Sequence, residues 1–455
     1  AALTIKTTGN IIMQATSGIG ATTDKLSTIL WSDTDATDGG GIWIKTGASI
    51  TSNGGTVTLS GGADYTTGYA KGTTTISPGT TFGQRAGIML SGNISSGVGS
   101  INLRGEMGAV ANGTSVDSAA LYLSQTSSIT STSGNISLSG RVGDDAASSA
   151  SIRAVRLGDG ITSTSQATIT TTTGSITLLG DAALSNSTGG SGILLDSAKL
   201  QTTSGNITLT GIQKANAEAD VFFHAGTSVA NNTTSNIITS TTGNVLLNMN
   251  SFLLFNTNTV SSGGSLTIQP RTDGTTIGIA GGTGTLSLLA GYFTTNFLDG
   301  FSGITIGNAT AGGITVGGAT TLNDSTTLLN NAAISINGAV TANENLILAG
   351  NGAITQTGAL TVTGTTTLTA GSTNDITLTN SDNNFTGAVS VVSGKDVGLR
   401  DLNALVLGAS TVSGNLGVTS SGAITQTGAL TVAGTTSLTA GSTNDITLTN
   451  SDNNF

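Results

Sequence analysis

Gly352-Ala-Ile-Thr-Gln-Thr-Gly-Ala-Leu-Thr-Val362 returns as Gly422-Ala-Ile-Thr-Gln-Thr-Gly-Ala-Leu-Thr-Val432, and the likeness runs on to Phe385 and Phe455. Over these 34 residues two positions differ, Thr363 becoming Ala433 and Thr367 becoming Ser437, so the period is 70 residues. Near-identical tandem copies mean that one structural unit is stacked, and length is what such a sequence supplies. A catalytic site is made once and has no use for the copy. Both copies stop at the same point of the block, as expected for part of a longer parent chain.

Inside the block, apolar residues alternate with Thr and Ser between glycines, the pattern of short half-buried strands. Dividing the period at its glycines gives coils of 19, 23 and 28 residues: 352–370, 371–393 and 394–421. The inward candidates are Ile354, Leu360, Val362, Leu368, Ile376, Leu378, Val389, Val391, Val397, Leu399, Leu405 and Leu407. The longest coil is expected to bulge outward near Asp401.

Working outward, residues 1–270 carry a looser rhythm. A strand of the form G-x-I/V-x-L recurs, as in Gly55-Thr-Val-Thr-Leu59, Gly134-Asn-Ile-Ser-Leu138, Gly174-Ser-Ile-Thr-Leu178 and Gly205-Asn-Ile-Thr-Leu209. Ahead of these lie partner strands such as Gly41-Ile-Trp-Ile44, Gly87-Ile-Met-Leu90, Ala120-Leu-Tyr-Leu123 and Gly192-Ile-Leu-Leu195. Irregular connections such as 61–86 and 105–119 would bulge as loops. Residues 271–350 are transitional, with the aromatics Tyr292, Phe293, Phe297 and Phe301 clustered. The regular repeat occupies 351–455.

Composition narrows the class. Only 8% of residues are charged and 4% aromatic, with 67 Gly and 2 Pro, while 36% are apolar. Ile, Val and Leu in a background of Thr, Ser, Asn and Gly suit strands joined by tight turns. A net charge of −10 would repel phosphate, which excludes nucleic acid as partner. No run of 18 apolar residues exists to span a membrane. Cysteine is absent, as suits an extracellular chain that crosses a narrow pore unfolded, although secreted folds often use disulfides.

These features predict an all-β, right-handed parallel β-helix of roughly 20 coils, with outward loops in the N-terminal half. One coil cannot bury its apolar face alone, so neighbours stack into a continuous core. An antiparallel barrel or sandwich is the alternative, but its strand count would close and this pattern does not.

The blocks at 352–362, Asn374-Asp-Ile-Thr-Leu-Thr-Asn380 and Asn403-Ala-Leu-Val-Leu-Gly-Ala-Ser-Thr-Val-Ser-Gly-Asn-Leu416 resemble repeats of filamentous-haemagglutinin-type bacterial exoproteins. Gly300-Phe-Ser-Gly-Ile-Thr-Ile-Gly-Asn308 also looks like an element of that group. The likeness is firm over 271–455 and one of rhythm over 1–270. It implies a secreted or cell-surface adhesin, often exported by two-partner secretion through an outer-membrane transporter. The Asn-Pro-containing motif usual in that group's secretion domain is not met here, since Pro78 follows Ser77 and Pro270 follows Gln269. An autotransporter or another route could carry the same repeats.

Chemical sites are sparse. His224 is the only histidine and ends a strand-like Val-Phe-Phe-His, so neither a His-based triad nor a cluster of His ligands is expected, and its role is read as structural. Asp33, Asp35 and Asp38 have the carboxylate spacing of a calcium loop but lack its later Glu; the alternative is a solvated Asp-rich turn. No other residues suggest a cofactor. Adjacent Asp144 and Asp145 point to opposite sides of any strand, which suits paired-carboxylate hydrolysis poorly. The Gly-rich run 278–284 has no following helix to make it a phosphate loop. Trp31, Tyr65 and Tyr69 could stack on sugars, with Trp43 assigned to the core. Asn380 and Asp382, repeated as Asn450 and Asp452, form an Asn-rich turn expected to recur three coils along, either structural or a periodic ligand site.

The leading expectation is therefore a non-enzymatic extracellular stalk or filament at a bacterial cell surface. Its partners would be further repeats of the same parent chain, other copies, and surface glycans or receptors. The alternatives are a polysaccharide-binding or -degrading β-helix protein, and an ice- or surface-binding solenoid using the Thr-x-Thr stretches 365–367 and 377–379, disfavoured because unequal coils would misalign a lattice.

Overall fold

A computed structural model describes residues 1–37, 39–72, 85–108, 118–143, 151–159, 165–185, 190–214, 219–224, 235–255 and 257–455. The chain is a parallel β-helix, divided into two units, Ala1–Gly264 and Ser265–Phe455. Every ladder between two strands is parallel among the described residues, apart from an isolated antiparallel bridge of Gly40 with Lys71, and with few exceptions consecutive strands pass to successive sheets before returning one coil later.

In the first unit each coil contributes one strand to each of three sheets. The first sheet contains Ile101–Met107, Ile136–Val142, Ile176–Ala182 and Ile207–Gln213. These carry the G-x-I/V-x-L strands, with Ile136 beside Ile176 and Ile176 beside Ile207. The second sheet holds the partner strands, including Ile42–Ile44, Ile88–Leu90, Ser118–Leu123 and Ser191–Asp196. A third, of short strands such as Ser49–Thr51, Asn93–Ser95 and Ser128–Thr130, lies between them in chain order. With one inward residue in three, these strands give almost no periodic signal.

The corner from third to first sheet explains the recurring glycine. A Cβ on Gly205 would overlap the carbonyl oxygen of Gly174, and one on Gly174 that of Gly134, so the stacked backbones exclude any side chain. A hydroxyl three residues earlier completes the corner. The N–H groups of Gly134, Gly174, Gly205 and Gly243 donate to Ser131, Thr171, Thr202 and Ser240 at 2.9–3.2 Å. Those hydroxyls donate in turn to the glycine carbonyl one coil back, as Thr202 Oγ1 does to Gly174 at 3.2 Å and Ser240 Oγ to Gly205 at 3.2 Å. The working motif is thus S/T-x-x-G-x-I/V-x-L.

The second sheet is apolar on both sides, as its near-continuous hydrophobic runs require. Ile88, Leu121, Val155, Ile193 and Val221 stack in register and are buried. The next residues, Trp43, Met89, Tyr122, Arg156, Leu194 and Phe222, form a second register row. Trp43 packs with Ala86, Met89, Ala119 and Tyr122 in a cluster of its own. It belongs to this second apolar layer, because the alternation that buries Ile42 and Ile44 sends Trp43 the other way.

The second unit opens on Ser265–Gln269, Ile277–Ile279 and Leu286–Leu288. The Gly-rich run 278–284 is the return between the last two, which pair in parallel as Ile277 with Leu286. Such a short return is far below the dozen or more residues usual between parallel strands. It requires glycine: a Cβ on Gly278 would overlap the Gly282 carbonyl. A π-helical turn, Tyr292–Asn296, then brings Tyr292, Phe293 and Phe297 together at ring separations of 5.7–6.1 Å, buried along with Phe301.

Regular coils follow, with three faces. Face I runs through Ile314–Val316, Ile334–Ile336, Ile354–Gln356, Ile376–Leu378, Val397–Asp401, Leu416–Ser420 and Thr436–Thr439. Face II carries Thr320–Leu322, Val340–Ala342, Leu360–Val362 and Asn384–Phe385; that place in the coil, the strand after face I, is later taken by Leu405–Leu407, Ile424–Gln426 and Ile446–Thr447, with Leu407 pairing back to Val389 of face III. Face III carries Thr326–Leu329, Leu346–Ala349, Thr366–Thr369 and Val389–Ser393, then Ser410–Val412 and Leu430–Val432. All twelve inward candidates are buried, each contributing about 1.5–3 kcal/mol by area.

The coil division differs from the glycine spacing. Val397 pairs with Leu416, so the stretch 394–421 holds a whole coil and the first strand of the next. No bulge forms near Asp401. Its buried carboxylate instead makes a tight corner, accepting the Phe385 N–H at 2.7 Å and the Asn403 N–H at 2.6 Å.

Candidate functional site

The outer side of the first sheet carries the aromatic candidates. Trp31 lies on the outward side of Ser27–Ser32, its indole Nε1–H donating to the Gly62 carbonyl at 2.6 Å. Tyr65 packs on it at 5.4 Å between centroids, and the Lys6 ammonium lies 4.3 Å from the Trp31 ring. Tyr69 bonds Ser139 through its hydroxyl at 2.9 Å, with the Arg141 guanidinium 4.1 Å from its ring. The three aromatics therefore fasten residues 62–69 across the coils, and two of their rings are already in contact with cations.

The same fastening uses charge. Glu106 receives Arg141 at 2.6 Å with Lys71 at 3.9 Å. Asp64 accepts from the Thr66 N–H and hydroxyl, both at 2.8 Å, and these donors hold its carboxyl below the usual range. Asp33 is buried, accepting the Gly39 N–H at 3.1 Å, and burial pushes its carboxyl up. Asp35 is exposed beside it. Asp38, Asp144 and Asp145 lie outside the described residues. Among the described residues no group of three or more His, Cys, Asp and Glu side chains is placed to hold a metal ion.

A charged cluster that sequence reading missed sits at the end of the second sheet. The Arg156 guanidinium meets Asp196 at 2.9 Å, and Asp196 also takes His224 Nδ1 at 3.1 Å. Arg156 and Asp196 are buried, while the imidazole reaches the surface between Phe222 and Phe255. Asp196 and His224 are register partners on neighbouring coils, 28 residues apart, so nothing local in the sequence joins them. Nearby, burial pushes the Tyr122 phenol up. A carboxylate orienting one imidazole nitrogen is half of a general-base arrangement. The described residues also give it a plain structural use, neutralising Arg156 inside the apolar layer.

The Asn-rich turn is the third place. Asn380 Oδ1 accepts the Asp382 N–H at 2.9 Å, and Asn450 Oδ1 accepts that of Asp452 at 2.9 Å. Ser381 and Asp382 point into solvent, whereas Asn383 is wholly buried. Asn383 trades hydrogen bonds with Gln356 on the coil before, at 2.7 and 2.8 Å, and accepts the Leu360 N–H at 2.9 Å. Gln426 and Asn453 repeat this at 2.9 Å. The two turns do not stack over one another: Asn384 pairs with Thr361 on face II, Asn454 with Thr431 on face III.

Polar ladders link exposed corners too. Asn343 donates to Asn323 at 3.0 Å, Asn351 to Asn331 at 3.2 Å and Thr365 to Asn345 at 2.8 Å, each across one coil. Coils are more equal than the glycine spacing implied, and Thr315, Ser335, Thr355 and Thr377 align on face I. The face III row Thr327, Ile347 and Thr367 is broken by its isoleucine.

Two stretches, 324–392 and 394–455, match the profile of a family described as repeats of unknown function (DUF5649). Their starts are one 70-residue period apart, so the unit recognised there is the unit read from the sequence. No curated protein matches the chain, and no solved structure does.

Proposed function

We propose that this chain is a structural segment of a secreted bacterial surface protein of the filamentous-haemagglutinin type, supplying stacked length for adhesion rather than catalysis. The observation that carries this reading is the axial bonding within each unit. Backbone ladders, the hydroxyl–glycine corners and the Asn ladders all join coil to coil, the direction in which a stalk bears load. Charged side chains are few, and among the described residues many are spent on fastening loops, as Glu106, Arg141 and Asp64 are. Fold alone does not deliver function, and the adhesive assignment rests on the sequence resemblance together with this bonding.

Electron microscopy of the native source material tests it. Thin rods with an axial repeat of about 4.8 Å, attached at a cell surface and removed by protease treatment of intact cells, are the expected result. A compact particle that turns over a polysaccharide would overturn it.

A further inference from the structure

The repeated block does not return to the face on which it began. Its first strand, Ile354–Gln356, pairs with Ile334–Ile336 on face I. In the second copy the same strand, Ile424–Gln426, is off face I: it follows the face I strand Leu416–Ser420 and pairs with Leu405–Leu407, which takes the face II place in its coil. Every later strand moves likewise. Leu360–Val362 is on face II and Leu430–Val432 on face III, paired with Ser410–Val412. Thr366–Thr369 is on face III, while Thr436–Thr439 is on face I, paired with Leu416–Ser420. Leu346–Ala349 and Leu416–Ser420 show the same step ahead of the block.

The cause is arithmetic. Face I passes from Ile354 to Ile376, Val397 and Leu416, and the next strand after Leu416–Ser420 begins the second copy. One period thus holds ten strands while one coil holds three. Each period advances three coils and one face.

A block can change face only if it brings its own contacts with it. This one does: Gln356 and Asn383 bond each other across one coil, both lie within 352–385, and Gln426 with Asn453 reproduces the pair one face round. Backbone pairing is indifferent to face, and the inward residues are interchangeable aliphatics.

We infer that the 70-residue repeat is a phase element, whose copy number sets the direction in which whatever follows it is presented. Each copy adds about 16 Å of axis, three and a third strand spacings, and turns the following chain by one face. Three copies restore the original direction. Gain or loss of a copy is therefore a change of azimuth as well as of length.

Absence of native cysteine makes the test clean. Residues 352–421 are deleted from the full chain, and Ser335→Cys and Thr425→Cys are introduced. If the block is free of its face, Cys at 425 takes the place of Thr355, the register partner of Ser335. That spacing of about 4.8 Å lies in the Cα range of a disulfide, about 4.4–6.8 Å. Mild oxidation should then remove both thiols of the shortened monomer, leave both in the undeleted chain carrying the same pair, and remove both in the undeleted Ser335→Cys, Thr355→Cys control. Retained thiols in the shortened chain, or loss of its cooperative unfolding, overturn the inference.

A second variant inserts a third copy of 352–421 after Ser421. Amide exchange as slow in the inserted copy as in its neighbours supports access to all three faces. A fast-exchanging stretch of one strand and its turns, extruded to hold the last block on face II, overturns it.

Discussion

The Asn383 side chain donates to Gln356 Oε1 at 2.7 Å across one coil, 27 residues apart in sequence. The Asn383 side-chain oxygen Oδ1 accepts from both the Gln356 side-chain amide and the Leu360 N–H. Asn383 is fully buried, and the Leu360 N–H and Gln356 Oε1 are satisfied through it, while the Gln356 amide N–H also reaches the Gly358 carbonyl at 2.7 Å. Asn383→Ala should cost about 1–3 kcal/mol, the range for leaving buried polar groups unpaired, read as a lower denaturant midpoint at unchanged slope. Gln356→Ala in the same background should cost much less than it does alone. Additive losses would mean that the pair is incidental.

Glycines on the stacked corner and glycines facing open space should respond oppositely. Gly205→Ala forces a Cβ into the Gly174 carbonyl and should lose about 1–3 kcal/mol by overpacking. Gly291 has φ −61 and ψ −23 with nothing near its missing Cβ. Gly291→Ala should instead gain about 0.4–1 kcal/mol by restricting the unfolded chain. Thermal unfolding of the two variants side by side decides it.

Arg156→Leu leaves the buried Asp196 carboxylate with His224 as its one remaining ion-pair partner among the described residues. A loss of about 3–5 kcal/mol is expected for breaking one side of a buried pair. The double variant Arg156→Leu, Asp196→Leu should recover much of it, since the apolar layer around Leu194 and Phe222 accepts aliphatic residues. No recovery would show that the cluster does more than neutralise itself.

Burial pushes the carboxyls of Asp324 and Asp401 up, against the lowering pull of their N–H donors from Gly300 and Phe301, and from Phe385 and Asn403. The folded chain then holds protons that the unfolded chain has released. Between the unfolded value of about 3.9 and the raised folded values, stability therefore falls as pH rises. Asp324→Asn should flatten this slope in denaturant unfolding followed from about pH 4 upward. An unchanged slope would place the titration elsewhere.

Trp31 holds residues 62–69 through one hydrogen bond and one ring contact. Trp31→Phe keeps an aromatic ring and removes the Nε1–H donor to Gly62. It should cost about 0.5–1.5 kcal/mol and raise the rate of proteolytic cutting within 62–72, while the inward Leu30 and Leu59 retain slow amide exchange. Equal cutting in both forms would mean that Lys71 and Tyr69 anchor the loop without help.

Much of this architecture was legible in the chain itself. Alternation in the 352–421 period placed all twelve inward residues, because in a strand the side of a residue follows from counting by two. The G-x-I/V-x-L rhythm located the first sheet, and the period identified stacking. Candidate sites were less legible. Trp31 and Tyr65 meet through a loop fold, and the Arg156–Asp196–His224 cluster joins residues whose spacing is the length of a coil.

The sequence by itself determined that strands form, which residues point inward, and that one 70-residue unit recurs. Only the tertiary structure decided that each coil has three strands, that Trp43 belongs to an outer layer, and that the second copy stands one face round from the first. The physical reason is that alternation is a property of one strand, whereas face and partner depend on how many strands close a coil. That number is set by core packing across the axis, and no local pattern in the sequence records it.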